Sequence, residues 1–96
     1  MARFISLLRF TDRGVRTTSR STGRAQAFTR AATKAGVTVE GQYWSTGNFD
    51  GVLILSAKEP AAVLQVLARL EAMGNVRAVT YPLFSDREFD AIAGAP

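Results

Sequence analysis

Six side chains in this sequence have types that can hold an organic ligand, and the predicted order of strands brings them to one end of a sheet. Arginine side chains can clamp a carboxylate or a phosphate, and aromatic rings can line a flat apolar molecule or simply pack on a strand. A carboxylate at Asp50 can orient Arg9, accept a proton, or form a structural ion pair with Arg9. The candidate ligand-binding residues are Arg9, Tyr43, Trp44, Asp50, Asn75 and Arg77.

The chain contains neither cysteine nor histidine, and this absence excludes several kinds of chemistry. Disulfides, thiolate nucleophiles, Ser-His-Asp triads, histidine-ligated haem and the usual zinc sites each need one of these residues. Any catalysis must therefore use carboxylates, tyrosine, lysine, arginine, amides or a reactive substrate. Because the acidic residues form no cluster, we expect neither a metal nor a cofactor.

The net charge is +4, and the positive residues are concentrated in the first third of the chain. Such a stretch can attract phosphate, but it is more typical of a solvated helix face. It also lacks the interleaved aromatic residues that stack on bases, so we do not expect nucleic-acid binding. The residues concerned are Arg13, Arg16, Arg20, Arg24, Arg30 and Lys34.

The length of 96 residues is enough for one domain, which we place over residues 1–96. No apolar run is long enough to span a bilayer, and the first ten residues lack the length and the cleavage site of a signal peptide. We therefore expect a soluble, cytoplasmic protein without membrane contact.

Hydrophobic periodicity and turn residues predict four strands and three helices. The stretch 15–21 is left open as an extra helical turn or an irregular loop. Pro82 favours an edge position for the last strand. The predicted strands cover residues 4–10, 37–46, 50–57 and 76–84; the helices cover about 22–35, the segment from Pro60 to Met73, and a short terminal segment behind a capping box at Ser85–Glu88.

This order is the split βαβ order of a ferredoxin-like α+β domain, with a sheet order of fourth, first, third, second strand. The two central strands carry apolar residues at successive positions: Phe4 and Leu8 point one way, whereas Ile5 and Leu7 point the other. Both sheet faces must then be buried, although two helices cover only one. We expect a second copy of the chain to cover the other face in a dimeric α+β barrel or a higher oligomer. The alternative is that the terminal helix folds over the free face.

The segment Tyr43–Leu55 places Gly47, Asp50 and Gly51 around a predicted hairpin and resembles the signature of the GYD domain family. Further similarity lies at residues 4–12 with Gly14, at Arg24, Ala25 and Phe28, at residues 36–37, and at residues 74–77 with Thr80 and Phe84. The resemblance implies a ferredoxin-like fold that oligomerises through its sheet, in a family with no settled biochemical function. Phe49 stands where the signature usually has tyrosine, so a role that needs that hydroxyl does not transfer. The turn itself explains the glycines and Asp50 structurally.

Three functional classes fit these features. An oligomeric module that binds a small apolar or anionic molecule between sheet and helices requires nothing that the sequence lacks. A cofactor-independent oxygenase or isomerase is suggested only by analogy with other dimeric α+β barrels. A structural or regulatory interaction protein would use the sheet and the basic helix without a pocket. We favour the binding module.

Overall fold

The chain alternates strands and helices, and the computed structural model describes residues 1–94 of it. All seven predicted elements are present. A short helix at residues 12–16 and a 3-10 turn at residues 18–20 are added, and they overlap the stretch 15–21 that the sequence leaves open. The elements are β1 (Ala2–Phe10), α1 (Asp12–Arg16), a 3-10 turn (Thr18–Arg20), α2 (Ser21–Lys34), β2 (Thr38–Trp44), β3 (Gly51–Ala57), α3 (Pro60–Ala72), β4 (Val76–Leu83) and α4 (Asp86–Ala93).

The four strands form one antiparallel sheet in the order β2-β3-β1-β4, as predicted. Pro82 lies in β4, which is an edge strand. Proline is acceptable there because it cannot donate to a sheet ladder. The chain is thus a small α+β domain that is compatible with the ferredoxin-like fold.

The helices α2 and α3 cover one face of the sheet, which we call the helix face. Leu53 and Leu55 of β3 are at most 2% exposed there and pack with Phe28 of α2 and with Val63 and Leu67 of α3. The alanine-rich repeat of α2 and the wide apolar face of α3 therefore build the core that the helical spacing predicts.

The opposite face of the sheet, which we call the open face, carries apolar side chains that no helix covers. The register places Ile5 beside Ile54 and Tyr81, and Leu7 beside Val52 and Val79. Helix α4 leaves this face bare, since its Phe89 and Ile92 are 60% and 65% exposed. The alternative that the terminal helix folds back over the free face is therefore wrong, because a helix packed there would bury these two side chains. The open face consists of Ile5, Leu7, Val52, Ile54, Val79 and Tyr81.

An ion pair marks one end of the open face. The Nε atom of Arg3 donates to Oε1 of Glu40 at 3.0 Å, and Glu40 sits at an irregularity in the pairing of β2 with β3, between Val39 and Gly41. The nearby hydroxyl of Ser56, followed by the Arg3 guanidinium, holds the pKa of Glu40 below its usual value. That hydroxyl is buried and has no well-aligned hydrogen bond among residues 1–94.

None of the helices within residues 1–94 has the length and the apolar character needed to cross a membrane.

Candidate functional site

A cavity of about 610 Å³ opens between α2, α3 and the helix face of the sheet, and we call it the cleft. It exists because α2 turns alanines toward it, and these short side chains leave space where larger ones would close the core. Apolar side chains form most of its wall, among them Leu8, Phe10, Phe28, Leu53, Val66 and Leu70.

Three arginines contribute the positive charge of the cleft lining. Arg13 and Arg69 are exposed, which places their guanidinium groups at the rim. Arg24 is half-buried, and its Nη1 atom donates to the carbonyl and the hydroxyl of Thr17 at 3.0 and 2.8 Å. These bonds hold the Arg24 side chain at the mouth, and they leave other guanidinium N–H groups for a ligand.

A tight contact between two loops positions Arg13. Thr11 caps α1, since its hydroxyl accepts from the Gly14 backbone N–H at 3.1 Å, and its own N–H donates to the Asn75 carbonyl at 3.1 Å. A Cβ at position 14 would lie 2.0 Å from the same carbonyl oxygen, so only glycine fits. The contact seats α1 against the turn before β4 and thereby holds Arg13 beside Gly74 at the edge of the cleft.

Asp50 lines the cleft, but its polar atoms are used by the backbone around it. Its Oδ2 atom accepts from the Phe10 N–H at 2.8 Å, while its own N–H donates to the Leu8 carbonyl at 2.8 Å and its carbonyl accepts from the Ser45 N–H at 2.9 Å. The pairing of β1 with β3 ends at Leu8 and Gly51. The carboxylate therefore extends the ladder by one step, as a substitute for a backbone carbonyl. This contact joins β1 to β3 and is not confined to the turn.

The structure brings four of the six predicted site residues to the cleft: Tyr43, Trp44, Asp50 and Asn75. Trp44 belongs to the helix-face row of β2 and is 49% exposed at the rim. The ring of Tyr43 lies beside Gly41 on the open face, so Tyr43 borders the cleft without turning its ring into it. The two aromatic residues thus point to opposite faces, as the strand alternation predicts.

Arg9 and Arg77 do not join these residues. They are direct register partners of β1 and β4, and both lie exposed on the side of the open face. The strand ends do meet, since Asp50 is hydrogen-bonded to both chain neighbours of Arg9, but the expectation of one shared site is corrected here because Arg9 and Arg77 lie outside the cleft lining. The described residues also do not contain an Arg9–Asp50 ion pair, so that alternative is wrong. The reason is alternation: Leu8 and Phe10 turn toward the cleft, so Arg9 between them must point away.

Sequence reasoning missed the three arginines that line the cleft. Arg13 and Arg24 were assigned to a solvated basic stretch, and Arg69 was not singled out. A signal was available for Arg24, because it immediately precedes Ala25 and lies one helical turn before Phe28, both of which line the cleft.

The arrangement combines a deep apolar wall with a cationic rim, in which the carboxylate of the lining is already engaged by a backbone donor. Chemically it suits a molecule with an apolar body and a negative group.

Comparison with known proteins identifies the family of this chain. Searches of curated proteins and of solved structures return no significant match. The family model for the GYD domain matches residues 4–93, which include every strand core, both covering helices and the whole of α4. The chain therefore belongs to the GYD domain family.

Proposed function

We propose that this GYD-domain chain is a homodimeric module that binds a small organic anion with an apolar body in the cleft. The observation that carries the proposal is the 610 Å³ cavity with its apolar wall and three arginines. Binding sites for small molecules have volumes of roughly 300–1,000 Å³ and combine an apolar lining with a few polar groups that fix orientation.

The charges of the lining favour an anion over a cation. Arg13, Arg24 and Arg69 present planar guanidinium groups, which bind carboxylate, sulfonate or phosphate oxygens in a forked geometry. The carboxylate of Asp50 is outnumbered by these three guanidinium groups among the described lining residues, so the charge of the lining is net positive.

The same hydrogen bond favours binding over catalysis. Asp50 is the carboxylate that lines the cleft within residues 1–94, and its Oδ2 bond to the Phe10 N–H makes it a link between β1 and β3, which supports a structural role. No second carboxylate lines the cleft among the described residues to share acid–base work with it. We therefore do not extend the proposal to an enzyme.

A second copy of the chain is the partner that best fits the open face. The four strands, of seven to nine residues each, give a face of about 20 by 25 Å, or roughly 500 Å². An exposed apolar patch of a few hundred Å² often marks an interaction site. Packing two such faces about a twofold axis buries both at once, because each face is its own complement.

Binding of a probe pair tests the anion preference of the cleft. The aromatic anion anilinonaphthalene sulfonate and the uncharged N-phenylnaphthylamine share nearly the same apolar body and differ in the sulfonate. We expect saturable binding of the anion at one site per chain and at least about tenfold weaker binding of the uncharged probe, since one charged hydrogen-bonding pair corresponds to about that ratio.

Two variants and a control locate the binding. Arg69→Glu should weaken the anion by about tenfold and leave the uncharged probe unchanged, and Ala31→Trp should fill the cleft and weaken both probes. Arg30→Glu, on the same helix as Ala31 but outside the lining, is the matched control. Each variant is compared below its melting transition, because the anion also stains partly unfolded chains. Equal affinities of both probes would refute the anion preference. If Ala31→Trp leaves the affinity for both probes unchanged, the cleft is not the binding site.

Native mass spectrometry of the protein from its own host tests assembly and occupancy together. A dimer that carries a reproducible extra mass, released on denaturation, is the expected result. A monomer would overturn the dimer.

A further inference from the structure

Arg24 differs from the other two arginines of the cleft lining, because its side chain is half-buried and held by three hydrogen bonds. Its Nη1 atom donates to the Thr17 carbonyl at 3.0 Å and to the Thr17 hydroxyl at 2.8 Å, and its Nη2 atom donates to the Ser21 hydroxyl at 3.3 Å. Arg13 and Arg69 are exposed, so a ligand would have to order their long side chains. Arg24 is therefore the arginine that is preorganised for binding.

The groups that hold Arg24 are all uncharged. A backbone carbonyl and two hydroxyls accept from it, and among residues 1–94 no carboxylate forms an ion pair with it. A charge that is partly withdrawn from water is costly unless an opposite charge meets it. Arg24 therefore places a positive charge without a counter-charge at the mouth of an apolar cavity.

The bonds of Arg24 leave one edge of its guanidinium group for a ligand. An arginine has five N–H donors in a planar fork, and the bonds to Thr17 and Ser21 occupy Nη1 and one N–H of Nη2. The remaining donors are on Nε and Nη2, which are neighbours along one edge of the fork. Two such donors match the two oxygens of a carboxylate in one plane. A tetrahedral sulfonate or phosphate has further oxygens outside this plane, which the edge does not satisfy.

Thr17 sets the direction of this edge. Its hydroxyl donates to the Arg13 carbonyl at 3.0 Å while it accepts from Arg24, so one hydroxyl ties the backbone of α1 to a side chain of α2. Thr17 is not among the described residues that line the cleft. It is therefore a positioning residue, which acts on a ligand only through Arg24.

We propose that the ligand of the cleft is an organic carboxylate, that the Nε–Nη2 edge of Arg24 binds both of its oxygens, and that Thr17 orients this edge. The inference rests on the binding module proposed above and names the anionic group of its ligand. The exposed Arg13 and Arg69 attract anions of any shape toward the mouth, whereas the fixed fork of Arg24 distinguishes a planar group from a tetrahedral one.

Fluorescence titration with three probes of one apolar body tests this anchor. The probes are anthracene-2-carboxylate, anthracene-2-sulfonate and the uncharged anthracene-2-carboxamide, and the preference is the ratio of the sulfonate Kd to the carboxylate Kd. We expect a preference of about tenfold, the effect of one hydrogen bond to a charged group, and weaker binding of the amide than of either anion. Arg24→Lys keeps the charge and loses the fork, so it should bring the preference close to one.

Three variants at neighbouring threonines test the positioning role. Thr17→Val removes the hydroxyl at nearly constant size and should lower the preference by about threefold, whereas Thr17→Ser keeps the hydroxyl and should retain the preference. The matched control is Thr18→Val, because the Thr18 hydroxyl bonds the Val15 carbonyl and not Arg24. This control should leave the preference unchanged. If Thr17→Val weakens all three probes equally, its role is structural and the positioning role is refuted.

The outcomes separate the anchor from the binding function on which it rests. A wild type that binds the carboxylate and the sulfonate equally, or an Arg24→Lys variant that keeps the preference, would overturn the carboxylate anchor and leave anion binding in the cleft standing. A wild type that binds the amide as tightly as both anions would overturn the anion-binding function and the anchor together.

Discussion

Removing the Asp50 carboxylate should chiefly cost stability. In Asp50→Ala the Phe10 N–H loses an acceptor at 2.8 Å in a half-buried position. A hydrogen bond to a charged acceptor contributes about 1.5–3 kcal/mol, and partial access of water to the freed N–H lowers this to about 1–2 kcal/mol. For a domain of this size, that loss corresponds to a melting temperature lower by about 4–16 °C. Asp50→Asn keeps an acceptor oxygen and should lose about half as much.

The assay is urea and thermal unfolding followed by far-ultraviolet circular dichroism at one fixed protein concentration, because a dimer's stability depends on concentration. Asn48→Ala, an exposed change two residues earlier, is the matched control and should stay within about 0.5 kcal/mol of wild type. Binding of anilinonaphthalene sulfonate is measured on the same samples below their transitions. If Asp50→Ala melts like the control and yet no longer binds the anion, Asp50 is a ligand residue and the structural account is refuted.

Three further changes probe other parts of the fold. Gly14→Ala drives a Cβ into a backbone carbonyl and should lower the free energy of unfolding in urea by about 2 kcal/mol or more. The control Gly23→Ala has open space around it on α2 and should raise the free energy of unfolding by about 0.5–1 kcal/mol. Equal effects of the two changes would contradict the close approach at position 14. Leu53→Asp puts a charge into the core and should prevent folding, as measured by circular dichroism. Ile54→Asp, on the open face, should leave a folded chain that sediments as a monomer. If the Ile54→Asp variant is still a dimer, the open face is not part of the interface. The pKa of Glu40 is held low in the folded chain by a serine hydroxyl and a guanidinium, so the stability it adds is complete above the ordinary glutamate pKa and disappears as the pH falls through the lowered one. The difference in melting temperature between wild type and Glu40→Gln should therefore become smaller as the pH falls from about 6 to about 3. A difference that becomes larger at low pH would show that the pKa of Glu40 is raised on folding and not lowered.

The sheet was predictable because its central strands carry their own evidence. Apolar residues at successive positions in β1 and β3 place apolar side chains on both faces of the sheet, which is typical of central strands. These two strands are the central strands of the sheet. The stretch after β1 was not assignable, because its hydroxyls bond their own backbone. Thr17 donates to the Arg13 carbonyl and Thr18 to the Val15 carbonyl, a local competition that leaves no trace in hydrophobic periodicity.

The candidate site was only half predictable, for two physical reasons. The chain topology shows which strand ends meet, but the face on which a side chain lies depends on its parity, and this turns Leu8 and Phe10 toward the cleft and Arg9 away from it. The cleft depends on the spacing between α2 and α3, which follows from the sizes of side chains that meet in three dimensions. Helical spacing identified the alanines of α2 as inward-facing, yet it did not show that they leave a cavity.

Both outer strands of the sheet resist pairing with further strands. The irregular register around Glu40 interrupts β2, and Pro82 removes one donor from β4. A free strand with a complete row of donors and acceptors would recruit copies without limit and grow toward a fibril. Interrupted rows disfavour that growth, so the two edges of this sheet are protected against the strand-by-strand addition of further copies.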